Sequence, residues 1–512
     1  MKKRDCIAGL LLFAAAVVMA LFGLSLCGAQ DIWYDELFTM EFTAQPVGRL
    51  LELAARDVHP PLYYLIVKAF VEAVHLAAPS VSAVTAAKVV SVLPYFGLLI
   101  YCAVLVRKRD GWLCAGLFAF CLLSMPQLPG YTTEIRMYGW ALFFLTAAFL
   151  HMREILLTGK LGQWAAFWVY GICAAYCHYF AAVSAFFLYL ALAVLLFRKQ
   201  KKEKENLSGG KGRMKKMLVP WLLCAALSVL AYLPWIPSAL NQVSAVREDY
   251  WILPLEWSCF GGCVKYVLKP STGYQLLDYA LAVLLFICLL LFLIRALWRR
   301  RQEEEAWEGA VYASCGIWVL AGTALFGIVV SFVMRPVFIY RYMMPALGGF
   351  WFCFAWFVSR QKGFRRLIPL VLLIGVGLTD QRSFLQGELE KARQMESTLQ
   401  ALHSLDEDSV LLFNFDQVQA VVSFYLDRET WLYGGEPEAL IAEMLPETKP
   451  AGDAEWVKNL LEEGRTVWFV GSNQAREAVL AEWSEDGIVP VETVDSLLLE
   501  RYWFNLYRLT LQ

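Results

Sequence analysis

Two adjacent carboxylates, Asp35 and Glu36, stand in the segment DIWYDELFTM, just beyond an apolar stretch at 7–27. A carboxylate at the lip of a bilayer is costly to desolvate, so a pair there calls for a reason. One reason is chemistry: a carboxylate beside a hydroxyl can take its proton during attack. The plainer alternative is a helix N-terminal pair, or a partner for a nearby arginine. Trp33 and Tyr34, immediately ahead, suit interface anchors.

Four further segments carry residues of the right kind. In HPPLYY (59–64), Pro60-Pro61 opens a helix and His59 stands at its mouth, where an imidazole can meet a phosphate or a metal, or simply cap a turn. In YTTEIRMYGW (131–140), Glu134 and Arg136 precede an apolar run. The arginine fork matches phosphate oxygens, although both residues also fit as boundary charges. His178, in CHYF, falls between two apolar runs with almost no loop, which suits either a ligand contact or a buried, hydrogen-bonded histidine. RPVFIYRYMMP (335–345) holds Arg335 and Arg341. Arginines on an outward segment run against the positive-inside trend and point to an anionic partner, whereas Tyr340 and Tyr342 fit an aromatic belt equally well.

The elements that must position these residues are membrane helices. The 512-residue chain is 59% hydrophobic and 15% aromatic, with 18% charged residues against about 25% in a soluble domain. Eleven apolar runs lie near 7–27, 88–106, 112–128, 138–156, 163–179, 181–197, 217–238, 274–297, 309–333, 342–359 and 366–379. A span needs ~20 apolar residues. The run at 62–78 is excluded. Tyr64, Lys68, Glu72 and His75 make one polar stripe there, opposite Leu65, Ile66, Phe70, Ala73 and Val74, which is the pattern of a helix lying flat at the interface. The first run is read as a retained helix rather than a cleaved signal peptide.

With 62–78 lying flat, the basic clusters at 107–109, 153–160, 198–216, 299–301 and 360–366 all fall inside. The N-terminus is then cytoplasmic, and 28–87, 129–137, the corner at His178, 239–273, 334–341 and the tail are extracytoplasmic. The inner loops read as plain charge anchors.

The near-neutral total hides an asymmetry: residues 381–512 hold 24 acidic against 10 basic side chains, and residues 1–380 hold 22 against 35. A basic membrane module (1–380, with interfacial helices in 28–87) and an acidic soluble domain (381–512) are therefore expected. All thirteen cysteines precede residue 381, mostly inside apolar runs, and Cys259 and Cys263 are more simply unpaired than bridged. The tail alternates as a small α/β unit, with strands at 410–415, 430–433 and 466–471, helices at 417–426, 456–463 and 474–483, and strands in 496–511. VGSN (470–473) can hold a phosphate at a helix N-terminus, but turn chemistry explains it more simply.

Taken together, WYDE (33–36), HPPLYY (59–64), EIRMYG (134–139), HYF (178–180) and RYMMP (341–345) resemble bacterial membrane glycosyltransferases of the family 39 type. These belong to the GT-C superfamily with the protein O-mannosyltransferases and the lipid A aminoarabinose transferase. The resemblance implies a mainly α, polytopic GT-C bundle of about eleven spans with a C-terminal extracytoplasmic α/β domain. It implies transfer of a sugar from a polyprenyl-phosphate donor to an acceptor hydroxyl on a lipid, protein or polysaccharide. Asp35 would be the base, Glu36 would orient it or the acceptor, and Glu134 would be a second acid near the sugar. Arg136, His59 and Arg341 would sit near the donor phosphate, and Tyr63, Tyr138, His178 and Tyr342 would contact substrate. Where the aminoarabinose transferase carries Glu-Lys before its two prolines, this chain has Val58-His59, which leaves a divalent metal an open question.

Three rivals compete with this expectation, one of them a degenerate, structural relative, against which the intact Asp35-Glu36 pair argues. A flippase or transporter would place charge mid-span along a path, and few such residues appear, Lys88 and Lys265 lying at edges or in loops. A glycan polymerase or ligase would need the same phosphate-holding residues. No nucleic-acid partner is expected.

Overall fold

The structure is a computed structural model that describes residues 2–206, 211–245, 252–299, 304–473, 475–499 and 501–512. Parts of the basic clusters at 198–216 and 299–301 lie outside the described residues, as do Gln474 and Glu500 of the expected tail elements. The chain divides into two compact units. The first comprises Met1–Cys27, Val47–Val81 and Ala86–Phe384, and the second comprises Gly28–Pro46, Ser82–Thr85 and Leu385–Gln512.

The first unit is a helix bundle. Among the described residues, nine helices are long and apolar enough to cross a membrane, and the protein is a multi-pass membrane protein. Nine rather than eleven follows from two local features. The segment Ala83–Ser124 holds two of the expected runs and is broken by Gly111, whose φ of 83° suits glycine. The helix Leu161–Cys177, at 17 residues, is shorter than the other spans. The helix Leu62–Ala77 forms where the flat interfacial helix was expected, with Pro61 at its N-cap. Its polar stripe is not on a free face, because Tyr64 and Lys68 are buried and only Glu72, ion-paired with Lys68 at 2.7 Å, is exposed.

Helix contacts in this unit rest on small residues. Lys2–Leu26 crosses Arg107–Ser124 so closely that a Cβ on Gly9 or Gly116 would overlap the other helix's backbone. Glycine permits that approach, and dispersion contacts then do the work that water exclusion cannot do in lipid. The expected charge anchors tie helix ends together. Arg109 donates to both carboxylate oxygens of Glu154, at 2.6 and 2.5 Å. The fully buried carboxylate of Asp110 accepts from Arg153, from Arg360 at 2.9 Å and from the Trp356 indole at 3.1 Å.

The second unit contains a six-stranded sheet. Strands β1 (Val410–Phe413), β2 (Thr430–Leu432), β3 (Thr448–Pro450) and β4 (Val467–Ser472) run parallel, and β5 (Ile488–Leu499) and β6 (Tyr502–Leu511) form an antiparallel hairpin, in the order β3-β2-β1-β4-β6-β5. Leu412, Val457, Phe469, Trp483 and Leu509 pack its core. The alternation legible in the tail is present, with two additions: the helix Ala439–Met444 and β3, both too short to carry a period. After VGSN the Asn473 Oδ1 accepts the Ala475 N–H at 2.9 Å, which is turn chemistry.

Candidate active site

In the first unit the chain gathers most of its singled-out polar residues around His178. This residue is a one-residue extended corner between the helices Leu161–Cys177 and Tyr179–Asn206, and it is 2% exposed. Its ring lies 5.5 Å from that of His59, 5.4 Å from Tyr138 and 5.0 Å from Tyr342, measured between centroids. Its Nδ1 accepts the Phe180 N–H at 3.0 Å, so the neutral ring carries its proton on Nε2 and presents a donor there. The positive charges of His59, Arg136 and Arg341 all bear on it.

His59 precedes the helix Leu62–Ala77 and stands 3.5 Å from Asp57 through Nδ1, an ion pair when the imidazole is protonated. Tyr64 donates to the same Asp57 carboxylate at 3.0 Å. Burial pushes the Asp57 carboxyl up, but the His59 hydrogen bond and charge, the Val58 N–H and the Arg136 charge outweigh it and hold it below the usual carboxylate range. Arg136 is 5% exposed, and its backbone N–H closes on the Glu134 carbonyl at 2.7 Å in the tight turn ahead of Tyr138–Thr158. The Arg341 guanidinium lies over the Tyr138 ring, 5.9 Å from its centre. Tyr131 packs on Tyr138 at 5.1 Å and receives the Tyr266 hydroxyl at 3.4 Å. Glu134 is half-buried, and its charge is felt at Tyr131, Tyr95 and Tyr266.

His59, Arg136, Tyr138, His178, Arg341 and Tyr342 therefore form one cluster of cationic, imidazole and phenol groups. Tyr63 is fully buried and donates to Ser91 Oγ at 3.1 Å, Ser91 in turn donating to the Ala87 carbonyl. Asp57, Tyr131 and Tyr266 were not singled out from sequence, and only Asp57 had a signal, two places ahead of His59 in DVHPP. Among the described residues, no group of three or more His, Cys, Asp or Glu side chains is gathered in a way that could hold a metal ion.

Asp35 and Glu36 belong to the second unit, in the first turn of the helix Tyr34–Ala44. Glu36 is 4% exposed, and its Oε2 accepts the Trp33 N–H at 3.0 Å, reaching back to fix the helix start. The helix N-terminal role weighed for this pair is thus present for Glu36. Asp35 is half-buried beside it.

No protein-family model and no curated protein sequence matches the chain. Solved structures do. The ArnT of Cupriavidus metallidurans in the apo state aligns over 98% of this chain and 97% of its own, with a TM-score of 0.56 at 12% identity. The same protein bound to undecaprenyl phosphate aligns over the same shares, with a TM-score of 0.54 at 14% identity. The fold is the GT-C fold. At this identity the likeness concerns architecture alone. The GT-C bundle and the C-terminal sheet domain account for essentially the whole chain.

Proposed function

We propose that this protein moves a sugar from a polyprenyl-phosphate donor to an acceptor hydroxyl at the outer face of a bacterial cell membrane, with inversion at the anomeric carbon. The observation that carries this is the cluster of His59, Arg136, Arg341 and His178 among tyrosines in the bundle. Guanidinium and imidazole donors suit a phosphate monoanion or dianion, and aromatic faces suit a sugar. The GT-C fold, and the undecaprenyl phosphate bound to ArnT, support a lipid-phosphate donor.

In the proposed reaction the acceptor oxygen attacks the anomeric carbon as the bond from that carbon to the phosphate oxygen breaks. Arg136, Arg341 and His59 take up the charge that develops on the leaving polyprenyl phosphate. The proton of the acceptor hydroxyl goes to Asp35, an assignment that rests on the WYDE resemblance. Glu36, by fixing the Trp33 N–H, orients the turn that carries Asp35. Glu134 serves the sugar, and Tyr63, Tyr138, His178 and Tyr342 serve substrate binding or its support. A single base with in-line attack yields inversion. The donor arrives by lateral diffusion in the lipid, so no nucleotide-binding site is required. The distribution of Lys and Arg supports a cytoplasmic N-terminus and an extracytoplasmic C-terminal domain.

The test is transfer of radiolabel from undecaprenyl-phosphate sugars by the full chain and by Asp35→Asn. The variant should insert normally and lose transfer by at least about 10²-fold. Transfer at the wild-type rate would overturn the assignment of the base.

A further inference from the structure

In the second unit, the turn that leads into Asp35 is held by side chains from the far end of the sequence. Tyr425, on the helix Asp416–Leu426 that follows β1, donates its hydroxyl proton to the Gln30 carbonyl at 2.7 Å and accepts the Ile32 N–H at 2.8 Å. Tyr502, at the start of β6, accepts the Tyr34 N–H at 3.3 Å and donates to Gln417 Oε1 at 3.1 Å. The Arg501 guanidinium lies 3.4 Å from the centre of the Trp33 ring. Three consecutive alternate positions, Gln30, Ile32 and Tyr34, are thereby fixed through their backbones, and the next residue is Asp35.

The place of these contacts in the sheet matters. In a doubly wound sheet, ligands enter at the carboxyl ends of the strands where the strand order reverses. Here that edge lies between β1 and β4. The residues after β1 include Phe415, whose ring packs on Tyr502 at 6.3 Å, and Asp416 and Gln417. The charges of Asp416, Glu438 and Asp35 are all felt at the Tyr34 hydroxyl. The edge that other α/β domains offer to a ligand meets this chain's own first loop.

We propose that the C-terminal α/β domain is a positioning device for the acid-bearing helix, with Tyr425, Tyr502 and Arg501 as positioning residues for Asp35. This rests on the assignment of Asp35 as the base. Hydroxyls that grip main-chain atoms, rather than the carboxylate itself, set where the base stands without changing what it is. Displacing a catalytic group by about 1 Å can cost ~10²-fold in rate.

The experiment uses the full chain in lipid nanodiscs carrying Tyr425→Phe and Tyr502→Phe together, which removes two oxygen atoms and no ring. Three measurements are made: amide hydrogen exchange across residues 28–36, retention of undecaprenyl phosphate, and kcat and KM for radiolabelled undecaprenyl-phosphate sugar. Exchange should rise ~10-fold or more, lipid-phosphate retention should stay within about twofold, and kcat should fall ~10- to 100-fold at constant donor KM. Tyr433→Phe is the control. Its hydroxyl donates to Glu482 at 2.7 Å in the same unit, and its loss should move none of the three. Unchanged exchange would show that no clamp exists, and raised exchange with unchanged kcat would overturn the positioning role. A wild-type chain without transfer would sink the proposed reaction, while the exchange measurement still decides the clamp. If the double variant does not insert, Tyr425→Phe alone carries the same readings.

Discussion

His59 and His178 face one another with ring centres 5.5 Å apart, although one precedes the helix Leu62–Ala77 and the other turns a corner between two helices. His178 is locked by its Nδ1, which accepts the Phe180 N–H. Replacing His178 by Asn keeps a short acceptor at that position, whereas Phe keeps only the ring. His178→Phe should therefore cost about 1–3 kcal/mol of stability through the abandoned buried N–H, and His178→Asn less. Both should lose retention of undecaprenyl phosphate ~10-fold. Thermal unfolding in detergent and lipid retention separate the two effects, and equal destabilisation by both variants would contradict the role given to Nδ1.

Asp57 is the counter-charge of the same cluster. Its folded-state pKa is depressed, so its contribution is fully present above about pH 4, the ordinary carboxylate value, and is lost only as pH falls through the folded value. Asp57→Asn should therefore destabilise the chain by about 1–3 kcal/mol near pH 5. The difference in melting temperature between the two proteins should shrink as pH falls below about 4, and a difference that widens on acidification would be inconsistent with a depressed pKa.

Part of this cluster was legible in the sequence because its members sit in short motifs beside apolar runs, where His, Arg and Tyr have a chemical use as well as a plain one as caps, boundary charges or an aromatic belt. The apolar runs themselves set the bundle. Asp57 was missed because an acid in DVHPP reads as ordinary turn chemistry. The helix Ala439–Met444 and β3 were missed because a few residues carry no period. The hold of Tyr425 and Tyr502 on the first loop had no signal at all: their partners are backbone atoms nearly four hundred positions away or more in the chain, and main-chain groups leave no mark in a sequence.

Glu41, on the same helix as Asp35, is a titrating group of the second unit. Burial first, and then the charge of Glu447, push its carboxyl up to about 7. The folded chain thus keeps a proton that the unfolded chain releases near pH 4.3, so stability falls as pH rises from about 4.5 to about 7 and levels off above that. Glu41→Gln should remove this fall. The difference in melting temperature between variant and wild type should grow from pH 5 to pH 8, and a constant difference would refute the raised pKa.

Asp110 ties its own helix to two others, through Arg153 on one and through Arg360 and Trp356 on the other, with its carboxylate fully buried. Asp110→Asn leaves the largely buried Arg153 without its counter-charge, an event that costs about 3–5 kcal/mol when a buried pair is broken, while the half-exposed Arg360 turns to solvent. The folded remainder should bind undecaprenyl phosphate with wild-type affinity, since none of these residues belongs to the His178 cluster. A melting point within about a degree of wild type would show that the hub contributes nothing net.

In the proposed reaction Arg136 serves the donor and not the acceptor. Arg136 is 5% exposed, and its charge bears on both Asp57 and His178, so its removal changes the potential at the centre of the cluster. A lost charge-assisted contact to phosphate is worth about 1.5–3 kcal/mol, or ~10- to 150-fold in an equilibrium constant. Arg136→Ala should raise the donor KM by that order and leave the acceptor KM within about twofold, while Arg136→Lys, a point charge without the planar fork, should recover only part of the loss. Initial rates over a grid of donor and acceptor concentrations distinguish these outcomes. If the acceptor KM rises instead, Arg136 faces the acceptor, and the phosphate must be held by His59 and Arg341 alone.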